Sequence, residues 1–191
     1  MKLPGIFSTY REEIDAEMKE VLAPYHLPLY GMMRYHLGWT DEQGVATSST
    51  PGKALRPTLC LLSCEAAGST YDRALPAATA VELVHNFSLI HDDIQDDDTE
   101  RRHRPTVWKI WGKPQAINAG TAMNILANMA LVRSYRKGAN PGQCQRMRMT
   151  LDEATLRLIE GQYLDLSFET RTDVTADEYL NMIRGKTAAL F

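Results

Sequence analysis

Residues 72–97 carry the pattern that most limits how this chain can fold. Ala80, Leu83, Val84, Phe87, Ile90 and Ile94 recur at intervals of three and four, the period of an α-helix with its apolar side buried. A second line runs along the same helix. At 100° per residue, His85, Ser88 and Asp96 fall within roughly 40° of Asp92, a polar stripe on an otherwise apolar helix. Buried polar groups need partners, so such a stripe inside a core lines a cavity. It runs into residues 91–104, where six carboxylates and three arginines share fourteen positions. Asp92 and Asp96 stand one turn apart, where like charges destabilise a helix, and a hard divalent cation relieves that repulsion. Oxygen-only ligation favours Mg²⁺ or Ca²⁺, and Mg²⁺ takes one or two carboxylates and completes its shell with waters and substrate phosphates. Arg101 and Arg102 then make sense as phosphate ligands.

The rest of the chain also reads as helices, with no alternating strand pattern and with Pro and Gly as punctuation. Helices are expected at about 8–23, where Ile14, Met18, Val21 and Leu22 face inward and Pro24 is the stop, and at 27–37. A polar loop over 39–53 delivers Lys53 and Arg56 to a helix that has Pro57 in its first turn and ends before Gly68. A short helix holds Trp108 and Trp111. The 115–136 helix is rich in Ala, Gly and Met, and is either central or a subunit contact. Asn140-Pro141 opens a helix to about 169, and Thr175-x-x-Glu178 is a capping box for the last one. That helix is expected to be still running at Phe191, as in a truncated chain. The expectation is one all-α domain over 1–191, without repeats or a linker.

Composition narrows the function. A net charge of −3, a pI near 6.0 and scattered basic residues argue against nucleic acid as a partner. No stretch reaches the roughly 20 apolar residues of a membrane span, and the N-terminus lacks a signal-peptide core, so a cytoplasmic protein is expected. Cys60, Cys64 and Cys144 form no C-x-x-C pair and suit a reducing compartment, and Cys60 and Cys64, which share a helix face, are expected to be small buried hydrophobes.

Taken in order, the chain carries Gly52-Lys53-x-x-Arg56-Pro57, His85, Asp92-Asp93-x-x-Asp96, Arg101-Arg102, Gly161-Gln162-x-x-Asp165 and Lys186-Thr187. From residue 52 to its end it resembles the trans-type isoprenyl diphosphate synthases. The resemblance implies an isoprenoid synthase-type helical bundle around a central cavity, incomplete at the C-terminus. It also implies a prenyltransferase reaction. An allylic diphosphate loses its diphosphate, isopentenyl diphosphate attacks the allylic cation through its double bond, and a proton is lost. Departure of a group carrying about three negative charges calls for metal neutralisation, for which Asp92 and Asp96 would hold Mg²⁺.

By the same resemblance, Lys53, Arg56, His85 and Arg102 bind isopentenyl diphosphate, whereas Arg101, Lys186, Thr187 and Gln162 face the allylic diphosphate. Lys186 joins Asp92 and Asp96 as a catalytic residue. Asp93, offset by about 100° from Asp92, and Asp165 stand behind the metal rather than on it. Asp97, Asp98 and Glu100 are expected to belong to a solvated loop, and His91 and His103 receive no role. Phe87, about 7.5 Å up the helix from Asp92, is the expected floor of the product channel, with small Ser88 beside it. In the family an aromatic residue there points to geranylgeranyl diphosphate. A homodimer through the 115–136 helix is expected.

Family members carry a second aspartate-rich motif on a later helix, which this sequence lacks, so the chain alone is expected to have little activity. Three other classes compete. A terpene cyclase shares the aspartates but has no use for Lys53, Arg56 and Arg102. An HD-type phosphohydrolase matches His91-Asp92 but leaves Asp96 and the arginines unexplained. A non-catalytic partner subunit is the serious alternative.

Overall fold

Recurrence of apolar residues at three and four along almost the whole chain makes helices nearly all of its regular structure. The computed structural model describes residues 5–47 and 52–191, which divide into two units, Met1–Gly138 and Ala139–Phe191. The first unit holds α1 (Gly5–Leu22), α2 (Pro28–His36), α3 (Leu55–Ala66), α4 (Leu75–Gln95), α5 (Val107–Trp111) and α6 (Lys113–Val132). The second holds α7 (Pro141–Phe168) and α8 (Ala176–Lys186). Residues 48–51 of the expected 39–53 loop, and the first four residues of the chain, lie outside the described residues. No helix among the described residues is long and apolar enough to cross a membrane.

The sequence pattern shows no strand, yet β1 (Glu100–Arg101) pairs antiparallel with β2 (Arg104–Pro105). Two residues per strand are too few for alternation to register. The last helix also ends earlier than expected: α8 stops at Lys186, and the chain tightens into a 3-10 turn over Ala188–Leu190. Thr187 caps α8, its amide bonding the Ile183 carbonyl at 2.9 Å.

The first unit is built on α4 packed against α6. Ala78, Ala80 and Leu83 of α4 and Ala116, Ala119, Met123 and Ala127 of α6 are all 0% exposed. Alanine and glycine let the two backbones approach closely. At Gly120 the fit is closest, because a Cβ there would overlap the imidazole of His91. That ring sits 3.3 Å from the Ile117 carbonyl through Nε2 and edge-on to Phe87 at 5.5 Å. His91 therefore joins α4 to α6.

In the second unit the expected Thr175 capping box forms, and the expected Asn140 cap proves to be a full capping box as well. The Asn140 side chain accepts from the Gln143 amide at 2.9 Å, and Thr175 accepts from the Glu178 amide at 3.3 Å, each answered by the N3 side chain. The α7 and α8 backbones meet at Gly161 and Gly185: a Cβ on Gly161 would overlap the backbone of Gly185 and Lys186, which cannot swing aside. This contact sets Lys186 beside Asp165, with which it forms an ion pair. Gly161→Ala is expected to destabilise the α7–α8 pair by about 3 kcal/mol, the upper end of overpacking costs. Chemical denaturation would read this as a lower midpoint at unchanged slope, and a midpoint equal to that of the unaltered chain would count against the contact.

Candidate active site

The C-terminal end of α4 places three carboxylates within five residues, and each has a different environment. Asp93 is 1% exposed and accepts a 2.6 Å bond through Oδ1 from Arg101 Nε. Its other oxygen is buried with no hydrogen-bond donor among the described residues. Burial pushes its pKa up to about 6, although Arg101 opposes the rise. Asp92 is partly exposed and lies 3.4 Å from Arg101 Nη2. Asp96 caps α4 and is exposed, its amide bonding the Asp92 carbonyl at 2.9 Å. Asp97 pairs with Lys113, and the Asp98 carbonyl accepts from Thr106 Oγ1 and Trp108 Nε1, both at 2.8 Å. These two acids fix the loop.

Arg101 and Arg102 stand on the β1–β2 hairpin, whose two central residues, Arg102 (φ 54°) and His103 (φ 61°), both adopt positive φ. Such turns match the twist of a hairpin but favour Asn and Gly, and non-glycine residues there carry roughly 1–2 kcal/mol of strain each. The turn sends the two arginines apart. Arg101 reaches the α4 carboxylates, while the Arg102 guanidinium lies on Gly52, where a Cβ would sit 2.6 Å from Nη2. Gly52 thus lets Arg102 rest on the backbone segment that carries exposed Lys53 and leads into Arg56 at the start of α3. Arg11 of α1 donates to the Gly52 carbonyl and pairs with Asp15 at 3.0 Å.

Under this cationic group lies a carboxylate that the sequence pattern does not single out. Glu82 is 6% exposed, and its Oε1 is 3.3 Å from Asn86 Nδ2. Burial raises its pKa, countered by the Asn86 hydrogen bond and by the charges of Arg11, Arg102 and Arg56. An acid between Val81 and Leu83, three residues before His85, was the available signal. His85 itself is held neutral: burial, then Arg56, Arg102 and Arg101, push its pKa down to about 3. His36 is pushed to about 3 by burial first and then by Arg102 and Arg101. Of the product-length candidates, Phe87 is 6% exposed and packs against His91, and Ser88 Oγ donates to the His85 carbonyl at 2.7 Å.

The second unit gathers its own set on α7 and α8. Lys186 pairs with Asp165, Gln162 has a buried Nε2 without an acceptor among the described residues, and Thr187 is exposed at the α8 terminus. No cluster of three His, Cys, Asp or Glu among the described residues could enclose an ion. Asp92 and Asp96, one turn apart with Asp96 open to solvent, suit Mg²⁺ that takes its remaining ligands from water and phosphate.

The chain is similar in sequence and fold to known proteins. The family model for polyprenyl synthetase matches residues 39–191. The (2E,6E)-farnesyl diphosphate synthase of Mycobacterium tuberculosis is 48% identical over 174 residues, covering 91% of this chain and 46% of that protein. The geranylgeranyl diphosphate synthase of the same organism is 40% identical over 163 residues, covering 85% and 45% respectively. Among solved structures, a polyprenyl synthetase from Streptomyces coelicolor A3(2) superposes with a TM-score of 0.90 at 39% identity, over 99% of this chain and 54% of that one. The chain spans about half the length of the curated relatives it matches.

The histidines give a pH test. A histidine whose folded pKa lies near 3, against 6.5 when unfolded, binds no proton in the native state where the unfolded state does. Its stability contribution is complete above pH 6.5 and falls away as pH drops toward 3. Asp93, raised to about 6 from 3.8, acts oppositely, stabilising below 3.8 and losing that contribution as pH rises through 6. His85→Gln is therefore expected to flatten the loss of stability between pH 6.5 and 4, measured by urea melts. Imidazole NMR should show His85 still neutral at pH 5, and titration there with an ordinary midpoint would refute the assignment.

Proposed function

The chain belongs to the polyprenyl synthetase family and has its all-α fold, and on that footing we propose that it serves Mg²⁺-dependent condensation of isopentenyl diphosphate with an allylic diphosphate. The observation that carries this reading is the division of charge at α4. Carboxylates Asp92 and Asp96 suit a metal-bound diphosphate, and a separate group of Lys53, Arg56, Arg102 and neutral His85 suits a metal-free one. Guanidinium groups grip phosphate through paired hydrogen bonds and lysine acts as a point charge. Holding the second substrate without metal keeps its own C–O bond from being activated. Mg²⁺, when bound, neutralises charge on the departing diphosphate. Arg101, bridging Asp92 and Asp93, stands ready to contact that group; within the second unit, Lys186, Gln162 and Thr187 form a candidate diphosphate-binding set of their own. Asp93 and Asp165 orient these cations.

A terpene cyclase or an HD-type phosphohydrolase leaves the cationic group around Gly52 idle. For the product we propose the twenty-carbon geranylgeranyl diphosphate, supported by aromatic Phe87 five residues before Asp92. Fifteen-carbon farnesyl diphosphate is the second reading, favoured by the 48% identity to a farnesyl diphosphate synthase. We further propose a homodimer through α6. Ile117, Ile125, Met129 and Val132 form an outward apolar line along it, each about half exposed. The protein is proposed to act in the cytoplasm.

Because the chain spans about half of its relatives, binding to this chain is the direct test. Calorimetry should show isopentenyl diphosphate binding without metal and weakening about 30-fold in Arg102→Met, the loss of one charge-assisted contact. An unreactive allylic diphosphate analogue should need Mg²⁺, and Asp92→Asn and Asp96→Asn should remove that dependence. Metal-independent binding of both ligands would sink the proposal. For product length, Phe87→Ala is expected to raise affinity for a twenty-five-carbon diphosphate by about tenfold, roughly the worth of one or two accommodated methylenes. No change would remove Phe87 as the channel floor.

A further inference from the structure

Arg104 carries the third guanidinium of the hairpin and has no part in the reaction proposed above. It is directed away from the diphosphate ligands by α2. Its Nη1 donates to the Tyr35 carbonyl at 3.1 Å, its Nη2 donates to the Thr40 carbonyl at 2.7 Å, and its guanidinium carbon lies 4.0 Å from the centroid of the Tyr35 ring. A cation is favourable at the carbonyl end of a helix, and Tyr35 is the penultimate residue of α2. The contact is reciprocal. The Tyr35 hydroxyl donates to the Pro105 carbonyl at 2.8 Å, and its ring meets Trp111 of α5 edge-on at 5.1 Å. Residues 104 and 105 are thus fastened to α2 by one buried tyrosine.

Arg104 lies directly opposite Arg101 in the ladder, and the residues between them are the two with positive φ. Strained conformations persist only where surrounding contacts hold them. Tyr35, Asp93, Arg101, Arg102 and Arg104 also line one small cavity, so a shift of the staple is felt at both arginines assigned to diphosphate. We propose that the Tyr35–Arg104 staple positions Arg101 and Arg102, holding the strained turn so that one guanidinium faces the metal-binding carboxylates and the other faces Gly52. Arg104 and Tyr35 are positioning residues that touch neither substrate. This inference rests on the diphosphate-binding role of the arginine pair.

Calorimetric titration of the full chain with inorganic pyrophosphate, with and without Mg²⁺, tests it alongside thermal unfolding. Arg104→Met is expected to weaken pyrophosphate binding by about tenfold, comparable to losing one charge-assisted contact. Tyr35→Phe, which keeps the ring and removes only the bond to Pro105, should weaken it by a smaller factor. His103→Gly relaxes the turn and should restore most of the affinity in the Arg104→Met background, a rescue that a purely stabilising role would not produce. Failure of the original chain to bind pyrophosphate would sink the proposed function. Normal binding by that chain together with unchanged affinity in folded Arg104→Met, or no rescue by His103→Gly, would overturn the staple alone. Should Arg104→Met not fold, Tyr35→Phe decides: unchanged affinity overturns the inference and a measurable loss supports it.

Discussion

A carboxylate buried as completely as Asp93 is stable only with a partner, because an isolated charge in the interior costs several kcal/mol even after relaxation. Arg101 is that partner, and the need to bring it there organises the surrounding structure. The chain must leave α4, reverse within a two-residue turn and return a guanidinium to the helix it has just left. The Asp98 carbonyl, held by Thr106 and Trp108, fixes the outward limb. Arg104 and Tyr35 fix the return. The strain at Arg102 and His103 is the energetic consequence, and it is tolerated because every neighbouring limb is tied down.

Small residues do comparable work in both units, by different means. Gly120 admits an imidazole between α4 and α6, Gly161 and Gly185 let two helix backbones touch, and Gly52 admits a guanidinium. In the last two cases the glycine belongs to a motif, so its place there follows from packing. Gly161 brings Lys186 to Asp165, and Gly52 gives Arg102 a surface to lie on. A motif of this sort combines ligands with the absence of side chains that would displace them.

Much of the fold was legible because its signals are local. The α4 periodicity, the Asn140 cap, the Thr175 capping box and the proline starts each involve residues within one turn of one another, and each appears in the structure. The polar stripe of His85, Ser88, Asp92 and Asp96 was legible for the same reason. Contacts set by distant parts of the chain were not. Arg104 seen in sequence is one more arginine in a basic run, and only α2, about seventy residues earlier, turns it into a staple. His91 beside Asp92 resembles half of a metal motif until Gly120 shows that its ring faces α6. Glu82 looks like a flaw in an apolar helix until Arg11 and Arg102 are brought over it. The end of α8 was placed too late because nothing in Thr187-Ala188-Ala189-Leu190 locally disfavours helix.

His85 shows how far environment changes the meaning of a residue. On the stripe it looks like a cation suited to a diphosphate, but burial first, and then three arginines, push its pKa down to about 3. A neutral imidazole contributes a directed N–H donor and no net charge, so the attraction of an anion into this region must come from Arg56, Arg102 and Lys53. Adding a fourth cation would increase the repulsion that Glu82 already offsets from below. Keeping His85 uncharged limits that repulsion in the empty site while leaving a donor for the ligand. It also separates the two proposed diphosphate environments chemically: one combines fixed guanidinium charge with a neutral donor, and the other has the carboxylates Asp92 and Asp96 in place of fixed positive charge. On the proposed function, discrimination between two substrates that share the same diphosphate group rests on that difference.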